Sequence, residues 1–160
     1  MADRLAQYAV KTLGLMLSLC LAVGITSGKH KKAEEPPFQY VAGTEDIERG
    51  CAGKLQVLKS GFAFECPLGN FQLPFATITL MQYRPDLSAD LQGMKIPWKV
   101  KPQIQRLREN KYFAIVSQDA GNIRAVVFRV DEDEMRPYFA EIELQSGKSV
   151  QEYRSFGEFD

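Results

Sequence analysis

The chain has 160 residues, 45% of them hydrophobic and 25% charged, with twenty basic side chains balanced by twenty acidic ones. That size and composition fit one compact domain and exclude a disordered, collagen-like or polytopic membrane chain. Zero net charge removes any overall steering toward nucleic acid or a membrane, so an electrostatic partner has to be met by a local patch.

Arg4 and Lys11 precede an uncharged run from Leu13 to Ile25. This pattern predicts a signal peptide over residues 1–28, because the run is shorter than the roughly 20 residues that a membrane-spanning helix needs. Ala22, Gly24, Ser27 and Gly28 place the cleavage between Gly24 and Lys29. Lys29, His30, Lys31 and Lys32 put more positive charge after the run than before it, which makes an uncleaved anchor the competing reading. Cys20 follows Leu19 where a lipoprotein signal has a small residue, so lipid modification is a further, less favoured alternative. The expected location is exported: periplasmic, envelope-associated or secreted. Cleavage leaves 18 basic and 19 acidic side chains and two cysteines, Cys51 and Cys66. An even pair in an oxidising compartment predicts a disulfide, with two buried free thiols as the alternative. Their separation of 15 does not suit zinc, whose ligands cluster at spacings of two to four, so no metal site is expected.

The charged stretch 29–49, with Glu34-Glu35-Pro36-Pro37, reads as a linker, and the folded part as residues 50–147. Residues 53–58 alternate around Leu55 and Val57, Lys59-Ser60-Gly61 turns, and Phe62 and Phe64 alternate again, which predicts a hairpin with Val57 opposite Phe62 and Leu55 opposite Phe64. Gly53 then faces Cys66, with Cys51 its diagonal neighbour. Phe71, Leu73 and Phe75 give a third strand and residues 76–84 a fourth. Over 94–101, Met94, Ile96, Trp98 and Val100 alternate with Lys95, Pro97, Lys99 and Lys101; Pro97 makes this an edge strand. Residues 111–117 and 122–130 form a second hairpin, completing seven strands.

Asp131 to Glu134 puts four acids where the first amides of a helix face, and Asp131 with Glu134 has capping-box spacing. The predicted helix carries Met135, Tyr138, Phe139 and Ile142 on one face, stops at Gly147, and starts at about Asp133 or later because Pro137 is tolerated only in a first turn. Residues 148–160, where Tyr153, Phe156 and Phe159 stand among polar residues, read as a frayed tail, with a segment docked on the barrel as the alternative.

The predicted fold is mainly β with one C-terminal helix: a seven-stranded, partly open barrel capped by an amphipathic helix. Gly53-Lys-Leu-Gln-Val, Gly61-Phe-Ala-Phe, the run Phe71 to Met81 and the hairpin-plus-helix over 112–146 resemble the pleckstrin-homology-like superfamily, particularly its GRAM-like members, over residues 50–147. The segment Met135 to Ile142 is also similar to the terminal helix of small exported bacterial proteins of unknown role. The resemblance implies the barrel but not phosphoinositide binding. Lipid-binding members are cytosolic with a basic first loop, and this chain has only Lys59-Ser60-Gly61 there.

Ser146-Gly147-Lys148-Ser149 is not a phosphate-binding loop, since the first glycine is replaced by Ile142. A serine or cysteine nucleophile lacks a histidine base in 50–147. The carboxylate pair Asp86 and Asp90 and the acidic helix start could do acid–base work, but capping and solvation explain the latter, and no enzyme activity and no cofactor are expected. Lys95, Lys99, Lys101, Arg106 and Arg108 are the candidate binding residues, with Trp98 beside them; the same lysines and Pro97 also suit the guarding of an exposed sheet edge. The expected function is a non-catalytic interaction module for an unidentified protein or peptide, with no nucleic-acid partner. The alternatives are a carrier of a small apolar ligand inside the barrel and, less favoured, a binder of anionic membrane surfaces.

Overall fold

The computed structural model describes residues 36–103 and 111–152. Eight strands form one sheet: β1 (Phe38–Gly43), β2 (Ala52–Leu58), β3 (Gly61–Cys66), β4 (Gly69–Pro74), β5 (Ile78–Arg84), β6 (Tyr112–Asp119), β7 (Asn122–Arg129) and β8 (Gln151–Glu152). Two helices accompany them, α1 (Ala89–Gly93) and α2 (Glu132–Ser146). The sheet order is β4-β3-β2-β1-β7-β6-β5-β8. Both hairpins anticipated from local alternation are present, with Leu55 opposite Phe64 and Val57 opposite Phe62 in one and Ile115 opposite Val126 in the other. The β6–β7 turn is tight because Ala120 and Gly121 both take positive φ, 46° and 85°, the handedness that matches strand twist.

The sheet curls without closing. β4 and β5 stand six strand spacings apart, about 29 Å if the sheet were flat. Yet only the 3₁₀ turn Phe75–Thr77 separates them, a chain reach of roughly 15 Å. The sheet must therefore bring its two ends together at this corner. Aromatic contacts made across the interior agree: Phe62 of β3 lies 6.0 Å from Phe113 of β6, and Phe64 lies 4.7 Å from Phe128 of β7. Phe38, Tyr40, Phe71, Leu73 and Phe75 complete this inner core. Each buried ring contributes about 1.5–3 kcal/mol of transfer free energy, so the interior is where the fold draws its stability.

Helix α2 covers one mouth of the curl. Met135 and Ile142 are buried, Tyr138 donates to the Leu55 carbonyl oxygen at 3.1 Å, and Phe139 packs against Tyr83. The helix starts at Glu132, earlier than Pro137 suggested. Pro137 lies on the exposed side, where the carbonyl of Asp133, deprived of its amide donor, faces solvent. Asp131 occupies the N-cap but makes no side-chain capping bond, and Gly147 ends the helix at φ 65°.

Three expectations are corrected. First, the sheet begins inside the stretch 29–49 that reads as a linker: β1 sits at its centre, with Phe38 and Tyr40 fully buried. A bulge between Tyr40 and Ala42 breaks the alternation, turning Phe38 and Tyr40 inward and Val41 and Ala42 outward. Gly43 follows because a Cβ there would stand 2.2 Å from the Tyr40 hydroxyl.

Second, residues 94–101 are not an edge strand; their link to the sheet is one bridge, Gly43 to Val100. The segment keeps its two faces but lies as a strap over the outside of the sheet. There Ala42, Ala114, Val116, Ala125 and Val127 form a second apolar surface that must be covered. Ile96 is buried against it, Met94 and Trp98 pack half-buried beside it, and α1 adds Leu91. Trp98 is thus part of the outer cover and not of the inner core. Third, the segment 148–160 begins docked, because β8 pairs in parallel with β5 at Gln151 and Glu152; its remainder, 153–160, lies outside the described residues.

Candidate functional site

Lys95, Lys99 and Lys101 lie exposed on the solvent side of the strap. Lys99 Nζ is 3.7 Å from an Asp46 carboxylate oxygen. The strap's end is held by Arg49, which donates through Nε to the Val41 carbonyl at the bulge (3.2 Å) and through its terminal nitrogens to the Lys101 carbonyl and the Gln103 side chain. Arg106 and Arg108 lie outside the described residues, as do the proposed signal peptide and Cys20. Cys51 and Cys66 are joined as a disulfide with a Cα separation of 6.1 Å, at the end of the β2–β3 hairpin where the register predicts them to meet. Among the described residues, no group of three or more His, Cys, Asp or Glu could hold a metal ion, and no helix is long and apolar enough to cross a membrane.

The buried and half-buried tyrosines hold elements together. Tyr40, with its hydroxyl directed to the Glu45 carbonyl, has its phenol pushed up to about 12 by burial. Tyr83 donates to the Val130 carbonyl at 3.1 Å and is raised by burial and then by the acids at the start of α2. Lys111 lies over the Tyr83 ring and pairs with Glu132; their hydrogen bond is the main cause that holds the Glu132 carboxyl below its usual range. Tyr83, Lys111 and Glu132 fasten the start of α2 to the sheet.

The two ends of the sheet differ in what their outer main-chain groups do. Along β4, the Gln72 carbonyl accepts from Arg124 at 3.1 Å, the Pro74 carbonyl accepts from Thr77 at 2.9 Å, and Pro74 has no N–H to offer. This edge is blocked at Gln72 and Pro74. Along the seven-residue β5, β8 pairs at Gln82 and Tyr83, while Ile78, Thr79, Leu80 and Met81 line an open cleft of about 330 Å³ opposite Lys148, Ser149 and Gln151.

Lys148 is half-buried in the cleft wall. Gly147 turns the chain out of α2, and the Lys148 amide donates to Ser146 Oγ at 3.0 Å. The ammonium then reaches the corner, donating to the carbonyls of Phe75 (2.8 Å) and Ile78 (2.6 Å). Further along β5, Gln82 is 3% exposed; its Nε2 donates to Gln151 Oε1 at 3.1 Å, and its own oxygen has no partner among the described residues. The sequence alone does not mark Gln82 or Gln151, and it brings out Lys148 only within the rejected phosphate-loop motif Ser146-Gly147-Lys148-Ser149. The one available hint is a cation one residue past a helix stop, a favoured place for it.

A larger open cleft of about 650 Å³, including Pro36, Gln39, Arg129 and Glu134, borders the first described residue, so its walls are only partly described. No family model matches the chain, and no curated protein sequence matches it.

Proposed function

We propose that this chain is an exported, non-catalytic interaction module of pleckstrin-homology-like, GRAM-like architecture that binds a short extended peptide along β5. The observation that carries the reading is the contrast between the two edges: β4 is capped, whereas β5 already accepts one short strand and leaves a cleft beside Ile78–Met81. Strand addition needs unpaired main-chain groups for affinity and a neighbouring wall for specificity; the Ile78 carbonyl is taken by Lys148, β8 leaves Thr79–Met81 unpaired on this side, and the cleft supplies the wall. Two antiparallel meanders joined along β1 and β7 and followed by one helix support the pleckstrin-homology-like assignment, to which β8 is an addition. The disulfide suits an oxidising compartment.

The carrier alternative asks for an unfilled interior. Phe62, Phe64, Phe71 and Phe75 instead contact one another or the rings of Phe113 and Phe128 at 4.7–6.1 Å, which favours the interaction module. Amide chemical-shift mapping of the full chain with a pool of blocked extended hexapeptides tests the reading. Perturbations centred on Ile78–Arg84 and Lys148–Glu152 are expected. Shifts centred on the 94–101 strap, or none at millimolar peptide, would overturn it.

A further inference from the structure

We infer that Lys148 is an anion-recognition residue of the β5 cleft, selecting an aspartate or glutamate side chain in the bound peptide; this rests on the strand-addition reading above. A lysine ammonium has three hydrogens to donate. Two go to the carbonyls of Phe75 and Ile78. Those carbonyls fix the ammonium's position but carry no formal negative charge to neutralise it. Lys99 and Lys111 both have carboxylate partners, Asp46 and Glu132, whereas Lys148 has none among the described residues. A half-buried cation without a counter-ion is poorly solvated and gains more from an arriving carboxylate than an exposed lysine does.

The position of Lys148 makes that charge useful. It lines the cleft opposite the stretch Ile78–Met81 that β8 leaves unpaired, so a peptide pairing there passes the ammonium. The chain's own segment in the cleft cannot neutralise it, because Ser149, Val150 and Gln151 carry no charge and Glu152 is paired further along, opposite Tyr83. At the β5–β8 contact the Gln82 amide oxygen is buried with no donor among the described residues. A cleft with one fixed cation that has no carboxylate partner among the described residues, beside a stretch of β5 that β8 leaves unpaired over Thr79–Met81, therefore selects an acidic residue in an extended segment.

The test uses N-acetylated, C-amidated hexapeptides of alternating Val and Thr, with one Glu moved through the six positions and Gln counterparts at each, titrated against the full chain. The best Glu peptide should bind at least tenfold more tightly than its Gln counterpart at low salt. That ratio should fall toward one in Lys148→Met and persist in Lys148→Arg, with thermal unfolding of each variant checking that the corner remains folded. Equal affinity of Glu and Gln peptides overturns the role of Lys148 while leaving strand addition standing. Preference for a Gln peptide with a free C-terminal carboxylate over every amidated Glu peptide shows that a chain terminus, and not a side chain, is recognised, and overturns the inference as stated. Failure of all peptides to bind removes the strand-addition reading itself.

Discussion

Arg124 on β7 donates through Nη1 to the main-chain oxygen of Gln72 on β4 at 3.1 Å, joining two strands that stand four places apart in the sheet. The same guanidinium is held by Glu45 at 2.9 Å, so one side chain closes the curl and caps an edge carbonyl. Arg124→Ala should lower stability by about 1–2 kcal/mol, a charged hydrogen bond discounted for partial exposure. It should also raise self-association by freeing β4. Arg124→Lys should restore little, because a single ammonium cannot serve both acceptors with the fixed fork of a guanidinium. Urea unfolding and light scattering check both effects; an alanine variant as stable and as monodisperse as the parent would show that the curl does not depend on this latch.

The disulfide between Cys51 and Cys66 spans a separation of 15 residues. Constraining the unfolded chain over such a loop is worth roughly 3 kcal/mol. Reduction should therefore lower the melting temperature by several degrees or more, and thiol titration of untreated, denatured protein should find no free sulfhydryl from this pair. Recovery of two reactive thiols would mean that the pair is not bonded in its native compartment.

The parts of the fold legible in the sequence are those whose signals are local. In β2–β3 and β6–β7 a short turn and alternating residues specify both pairing and inward face. β1 was hidden because Pro36-Pro37 precedes it, the bulge after Tyr40 breaks its period, and its neighbour β7 lies far along the chain. The 94–101 alternation reported correctly which side chains turn inward. Period two, however, is shared by a strand in a ladder and an extended strap laid on a sheet face, and it carries no information about hydrogen-bond partners. Lys148 was illegible for a similar reason: its acceptors, Phe75 and Ile78, precede it by 73 and 70 residues, and only the curl brings the corner to the helix end.

Moving residues 94–101 from a sheet edge to a strap changes what their lysines should do. Lys95, Lys99 and Lys101 have no ladder to guard, so Lys95→Ala/Lys99→Ala/Lys101→Ala should keep the oligomeric state of the parent, measured by sedimentation velocity. An extended segment spaces alternate side chains about 6.6 Å apart, and Lys99 is near Asp46. With charges screened over about 8 Å at physiological salt, this row is a weak anionic-surface site. Wild-type protein should therefore stay in the supernatant with anionic vesicles. Co-sedimentation that the triple variant abolishes would instead make the strap the functional surface.

Alkaline pH should unfold the protein through its buried phenols. Tyr40 is fully buried, and its pKa rises from an ordinary value of 10.0 to about 12, chiefly because burial penalises the phenolate. The folded state thus holds a proton that the unfolded chain releases once pH exceeds 10. Stability from this group is complete below pH 10 and falls as pH climbs through about 12, by about 2–3 kcal/mol in all. Tyr83 and Tyr138 are raised for the same first cause and steepen the loss in the same direction. Tyr40→Phe gives up only a long hydroxyl contact to the Glu45 carbonyl, 3.4 Å, and removes the largest fully buried phenol from the titration. Its unfolding free energy, measured in urea at pH 8 and pH 11, should decline less between the two than that of the parent. Equal declines would mean that Tyr40 is not among the groups whose ionisation opens the fold.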